Sequence, residues 1–139
     1  MGWLSFAFIS AGAAALTAIL AKVGVEGVPS NVATAIRTVV ITAFAWAIVV
    51  ATGEHRAITH MSRRSVVFLL LSGIATGISW LAYFRALQLA PASRVSPIDK
   101  LSLPLTIVLA AMFLGEAVSW RLAAGVALMT VGAILTIAP

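Results

Sequence analysis

Long apolar runs separated by short polar stretches dominate this chain. About 20 apolar residues cross roughly 30 Å of hydrocarbon as a helix. By this measure the pattern predicts membrane helices at residues 3–21, 32–52, 66–89, 96–115 and 122–138. Helix-breaking residues in KVGVEGVPSN separate the first two runs, and the polar stretch GEHRAITHMSRRS precedes the third. We therefore expect an all-α integral membrane protein with a single five-helix domain, residues 1–139, and termini on opposite sides.

Composition supports the same interpretation. Hydrophobic residues make up 62% of the 139 residues and charged residues only 9%, and the mean hydropathy is +1.12. So few polar side chains cannot cover a folded chain against water. The formal charge of +5 therefore points to anionic lipid headgroups as partners and not to nucleic acid. The chain has no cysteine, which excludes disulfides and thiolate metal sites.

Small residues recur at helical spacing on three of the predicted helices. Close approach of backbones at such residues drives the association of helices in lipid. We predict helix-contact faces at these positions: Ser10, Ala14 and Ala18; Gly73 and Gly77; Gly125 and Gly132. The alternative is the general excess of Gly and Ala in membrane helices.

The orientation in the membrane follows only weakly from the charges. Four loop arginines share a side with the amino terminus, which favours a cytoplasmic amino terminus by the positive-inside rule. Including the basic residues near helix ends reverses that count, so insertion in both orientations stays open. The residues on the first side are Arg56, Arg63, Arg64 and Arg121, and those on the second are Lys22, Arg94, Arg37, Arg85 and Lys100.

Four charged residues fall inside the predicted spans, namely Arg37, Arg85, Asp99 and Lys100. A charge at the bilayer centre costs about 2.5 to 3.5 kcal/mol on insertion scales. The alternation of crossings brings all four toward the side opposite the amino terminus. We predict one layer around a cavity mouth, suited to a substrate with a carboxylate or another anionic group, in which Asp99 exchanges a proton.

Each of these charges also has a structural explanation. The three basic side chains are long enough to reach the headgroups. The sequence SPID is typical of a capping box, with Ser96 as N-cap, Pro97 in the first helical position and Asp99 in the third. A capping carboxylate at a cavity rim can still pair with an arginine.

Polar and aromatic residues extend the candidate lining. Ser102 shares a helical face with Asp99, and Pro104 predicts a kink that serves gating or is static. Trp80, Tyr83 and Phe84 share one side of the third helix, where they stack on a substrate or pack against lipid or another helix. The sequence offers too few ligands for a metal site, and no phosphate loop or nucleophile with a base. We therefore expect no enzyme activity, metal or cofactor.

Two stretches carry a family resemblance. The segments YFRALQLAPASRVSPIDKLSLPLTIVLAAMFLGE from Tyr83 and WRLAAGVALMTVGAIL from Trp120 resemble the EamA-type repeat of the drug/metabolite transporter superfamily. The most specific parts are ALQLAPAS, the region of Pro104 and the FLGE that ends at Glu116. The resemblance implies a transporter of small metabolites or drugs, usually ten helices in two inverted five-helix halves.

The resemblance extends to a second group of transporters. GVALMTVG is similar to the pairing helix of small multidrug resistance proteins, which carry a membrane glutamate in their first helix. The first segment here has no acidic residue, so Asp99 is the carboxylate left to replace it. Glu116 belongs to the FLGE motif, although a polar helix end near Arg121 explains it equally well.

The sequence and the resemblance together predict a small secondary-transporter subunit of the inner membrane. It would move a small organic solute by alternating access, as a homodimer or with a homologous half-transporter. Two alternatives stay open. One is a non-transporting membrane subunit that binds a partner protein or lipid, and the other is a subunit of a lipid-headgroup flippase.

Overall fold

The computed structural model describes residues 2–137, and every regular element in this range is helical. The all-α prediction is therefore confirmed. A π-helical turn at Ala110–Leu114 continues helix α5, and a 3₁₀ helix at Glu54–His60 precedes α3. The α-helices are α1 (Trp3–Gly24), α2 (Ser30–Ala51), α3 (Arg63–Leu89), α4 (Ala92–Asp99), α5 (Ser102–Leu109) and α6 (Trp120–Leu135).

Within the described residues, four stretches are long and apolar enough to cross a membrane: Trp3–Gly24, Ser30–Ala51, Arg63–Leu89 and Ala92–Leu114. The last of these combines α4, α5 and the π-helical turn. Helix α6 is apolar but has only 16 residues, which corresponds to about 24 Å. A multi-pass membrane protein is supported, and a fifth crossing remains a prediction. Ala138, the predicted end of that crossing, lies outside the described residues.

The connection between α2 and α3 is more ordered than a polar loop. Gly53 adopts φ +73° after α2, a left-handed conformation that a residue without Cβ enters at little cost. The 3₁₀ helix follows, and α3 then starts at Arg63, three residues before the predicted start. Side chains between Ala51 and Ser65 are exposed, in keeping with a position in water or among headgroups.

The predicted capping box at Ser96 is wrong. Helix α4 starts at Ala92 after Pro91, so Ser96 and Pro97 lie inside it and Asp99 is its last residue. The carbonyl of Pro91 accepts hydrogen bonds from the amides of Arg94 and Val95 at 3.0 and 3.1 Å. Proline has its φ already set for a turn, so the chain enters the helix directly after Pro91.

The α-helix is interrupted ahead of Pro104, the residue at which a kink was predicted. Residues 100 and 101 form a turn between α4 and α5, and Pro104 is the third residue of α5. A proline ring clashes with the carbonyl four residues earlier, here that of Lys100. This carbonyl accepts instead from the amide of Leu103 at 3.0 Å. Pro104 therefore interrupts the regular helical hydrogen bonding about one turn earlier in the chain, at residues 100 and 101.

The chain divides into two compact units. The first, Leu20–Leu89, is called the α2–α3 unit here, and residues 2–19 with 90–137 form the terminal unit. In the α2–α3 unit the helices α2 and α3 pack together. Its buried side chains concentrate where α2 begins and α3 ends: Ala21, Val25, Ser30, Thr34, Phe84 and Leu87.

In the terminal unit, α4 and α5 contact α6. Helix α6 begins at a capped end, because the Ser119 hydroxyl accepts a hydrogen bond from the amide of Leu122 at 3.2 Å. Ala18 and Ala133 are the buried hydrophobic residues of this unit in the described range. Most of the large apolar side chains elsewhere on its helices are exposed, as expected where lipid is the solvent.

Most of the predicted small-residue faces are open in the chain. Ala18 is buried, whereas Ser10 and Ala14 are exposed. A Cβ added at any of the four glycines would meet no atom within 4 Å: Gly73, Gly77, Gly125 and Gly132. These glycine faces remain predicted contacts for another chain.

Candidate functional site

Two side-chain hydrogen bonds connect the last turn of α1 and the α1–α2 turn to the end of α3. The Lys22 ammonium donates to the Leu87 carbonyl at 2.6 Å, and the Gln88 amide donates to the Val28 carbonyl at 2.6 Å. The last carbonyls of a helix lack partners within the helix, and a cation there complements the helix dipole. Lys22 thus stabilises the end of α3 and fixes the level at which α2 begins beside it.

Arg37 lies on aromatic rings of α3. Its guanidinium carbon is 4.4 Å from the Trp80 ring centroid and 5.4 Å from that of Phe84. Trp80 and Phe84 are four residues apart and therefore share a helical face. Helices α2 and α3 run antiparallel in this unit, so the eighth residue of α2 lies level with the last turns of α3.

Tyr83 and Arg85 lie on the same part of α3. The Tyr83 and Phe84 rings meet edge to face, with centroids 6.3 Å apart. Arg85 is exposed and donates to the Gln88 side-chain oxygen at 3.1 Å. We call Arg37, Trp80, Tyr83, Phe84 and Arg85 the arginine–aromatic cluster. Four of these five residues were predicted as lining residues, and Phe84 was predicted to share one side of the helix with Trp80 and Tyr83.

Phe84, which shares one side of α3 with Trp80 and Tyr83, is only 3% exposed. The residue that was missed is Gln88. The signal was present, since positions 80, 84 and 88 repeat every four residues and form one face of a helix. Only packing against α2 shows that this face, and not another, is the one that meets Arg37.

Asp99, Lys100 and Ser102 lie in the terminal unit. The Lys100 ammonium is 3.3 Å from the Asp99 carboxylate, and the two side chains are 55% and 38% exposed. Ser102 begins α5, and its carbonyl accepts from the Thr106 hydroxyl at 2.9 Å. The pair thus borders the turn between α4 and α5, where the helix is interrupted. A single layer that includes Arg37 and Arg85 stays a prediction.

Comparison with known proteins shows the family. Residues 1–138 match the EamA-like transporter family. The chain belongs to this family. A curated protein of Sinorhizobium sp., "Uncharacterized transporter in cobO 3'region", is 50% identical over 133 residues, which cover 96% of this chain and 94% of that protein. No solved structure matches the chain.

Membership of the EamA-like family confirms the resemblance carried by the FLGE and ALQLAPAS segments. It supports a membrane transporter, as the name of the Sinorhizobium relative also does. The findings point to a transporter and not to an enzyme. Among the described residues of this EamA-like chain, no group of three or more His, Cys, Asp or Glu side chains forms a metal site.

Proposed function

We propose that this EamA-like chain is a small secondary-transporter subunit that moves a small organic metabolite or drug across the inner membrane by alternating access. The observation that carries the proposal is the family match over residues 1–138. Ionisable residues inside apolar spans support it, because their insertion is costly and they mark solute or ion pathways by default. In this chain the described spans contain Arg37, Arg85 and the pair of Asp99 and Lys100.

We further propose that two such units assemble, as a homodimer or with a homologous half. The transporter-named relative supports this, since the 133 aligned residues cover 94% of its length, which is room for one five-helix repeat in that protein. The open glycine faces offer surfaces for the contact, because small residues let membrane helices approach closely. Opposite insertion of the two copies would produce an inverted pair with its solute site near the midplane.

Transport is tested by reconstitution. Proteoliposomes that hold the purified chain should accelerate the entry of at least one solute from a panel of small organic acids, amines and neutral metabolites, relative to protein-free liposomes. Absence of any solute flux would contradict the proposal. Flipping of a fluorescent lipid without solute flux would favour the flippase, and tight co-purification of a partner without flux would favour the non-transporting subunit.

The inverted pair is tested by cysteine labelling of this cysteine-free chain. Ser62 and Glu26 are exposed and can react with a reagent in water. Val25, which precedes Glu26, is only 3% exposed and is therefore unsuitable as a labelling position. With Ser62→Cys and Glu26→Cys in intact cells, an impermeant thiol reagent should label both positions in comparable fractions. Labelling of Glu26→Cys alone would place every amino terminus inside and contradict inverted insertion. Labelling of Ser62→Cys alone would contradict it with the opposite orientation.

A further inference from the structure

The position of Arg37 argues against a side chain that extends to the lipid headgroups. It is the eighth residue of α2, about 10 Å along the helix from Ser30. Its guanidinium lies closer to Trp80 than to Phe84, and Trp80 is the ring further from the end of α3. Arg37 is also half-buried. The charge is therefore held against the apolar part of α3.

The Arg37 guanidinium contacts two aromatic rings, neither of which offers a conventional hydrogen-bond acceptor. A guanidinium carries five N–H donors in its plane and binds a carboxylate through two parallel hydrogen bonds. Cation–π contact with Trp80 and Phe84 holds the guanidinium in place without a carboxylate partner. No carboxylate in the described part of the chain forms a salt bridge with Arg37.

The surrounding charges favour an anion. Lys22 and Arg85 lie at the same end of the α2–α3 unit, where Lys22 donates to the Leu87 carbonyl and Arg85 to the Gln88 side-chain oxygen. Glu26 in the α1–α2 turn is the acidic residue in the same part of the sequence. With Arg37 the local charge is positive, which raises the local concentration of anions.

We propose that the Arg37 guanidinium, oriented by Trp80 and Phe84, binds the carboxylate of a small organic anion, which is the solute class of this subunit. The inference rests on the proposed transport function for its biological meaning. Binding itself requires no transport. Trp80 forms one wall of the site, so its fluorescence should report an occupied guanidinium directly.

The test uses a chain in which Trp80 is the only tryptophan, with Trp3, Trp46 and Trp120 changed to Phe, in nanodiscs of zwitterionic lipid. The probes are benzoate, succinate and pyruvate, each paired with its neutral amide. We expect at least one carboxylate to change Trp80 fluorescence saturably, and its amide to bind at least about tenfold more weakly. Equal responses to acid and amide, or no saturable response to any acid, would overturn the proposal.

Variants assign the response to Arg37. Arg37→Gln should weaken carboxylate binding at least about tenfold. Arg37→Lys keeps the charge but loses the paired donors, and should bind with intermediate affinity. Arg64→Gln is the matched control, because Arg64 also lies over a ring, that of Phe68 at 5.8 Å, near the start of α3. It removes the same charge and should leave binding unchanged.

The outcomes separate this site from the transport proposal. If Arg37→Gln and Arg37→Lys both leave carboxylate flux unchanged, the proposed Arg37 site is overturned and the transport proposal is retained. Arg37-dependent binding without flux would keep the site and contradict the transporter. A Trp80 response that anionic lipid produces and free carboxylates do not would show that Arg37 binds a headgroup phosphate, which overturns the solute proposal. Arg37→Lys serves as the deciding variant if Arg37→Gln fails to fold.

Discussion

Replacement of Asp99 by Asn is expected to lower reconstituted flux at least about tenfold, the equivalent of about 1.4 kcal/mol. The side chain keeps its shape but loses the charge that faces Lys100 across 3.3 Å. A carboxylate retained in an apolar span is costly, and the turn after α4 places this one at an interruption of the helix. The measurement is the initial rate for a solute that the parent chain moves.

A double variant separates two roles of Asp99. If the carboxylate only neutralises Lys100, then Asp99→Asn with Lys100→Met removes both charges and should restore flux. If Asp99 itself exchanges a proton or binds a cation, the double variant should stay as slow as Asp99→Asn. Glu54→Gln is the control, since it makes the same chemical change at an exposed carboxylate in the 3₁₀ helix. Parent-like flux in Asp99→Asn would exclude both roles.

Leu87→Ala should produce the largest loss of stability, about 2 to 4 kcal/mol in the free energy of unfolding. Leu87 is 0% exposed and lies where the α1–α2 turn meets the end of α3. In a membrane the cost comes mainly from lost packing, because lipid solvates an exposed leucine as well as a protein interior does. Unfolding by denaturing detergent, followed by circular dichroism, measures the change.

Leu89→Ala is the matched control for this prediction. Leu89 is two residues further along α3 and is 71% exposed, so its truncation leaves no cavity and should change stability by less than about 0.5 kcal/mol. Equal losses for the two variants would show that packing at this end of the α2–α3 unit does not determine stability.

Much of the candidate site was predictable from residue types. Charged side chains in apolar runs are costly wherever they fold, so Arg37, Arg85, Asp99 and Lys100 stood out without any contacts. Trp80, Tyr83 and Phe84 were predicted from their position on one side of a helix. The burial of Phe84 beside Arg37 was not predictable, because an apolar side chain in an apolar helix has no sequence signal that separates a lipid contact from a contact with an arginine.

The capping box shows where local pattern was misleading. The letters SPID fit a helix start, yet helix α4 begins four residues earlier, after Pro91. Pro91 and Pro97 both suit the start of a helix, and the local sequence does not decide at which of them the helix begins. The backbone passes through Pro97 in helical conformation and is interrupted only at residues 100 and 101, because Pro104 has no N–H to donate to the Lys100 carbonyl.

The sequence by itself determined the solvent, the class of fold and the family of this protein, because hydrophobic content and length decide which residues leave water before any contact forms. Tertiary structure decided which helix faces meet. In lipid all apolar faces are equally well solvated, so the choice depends on shape and on a few polar bonds. Here Lys22 on Leu87, Gln88 on Val28 and Arg37 on Trp80 select one face of α3.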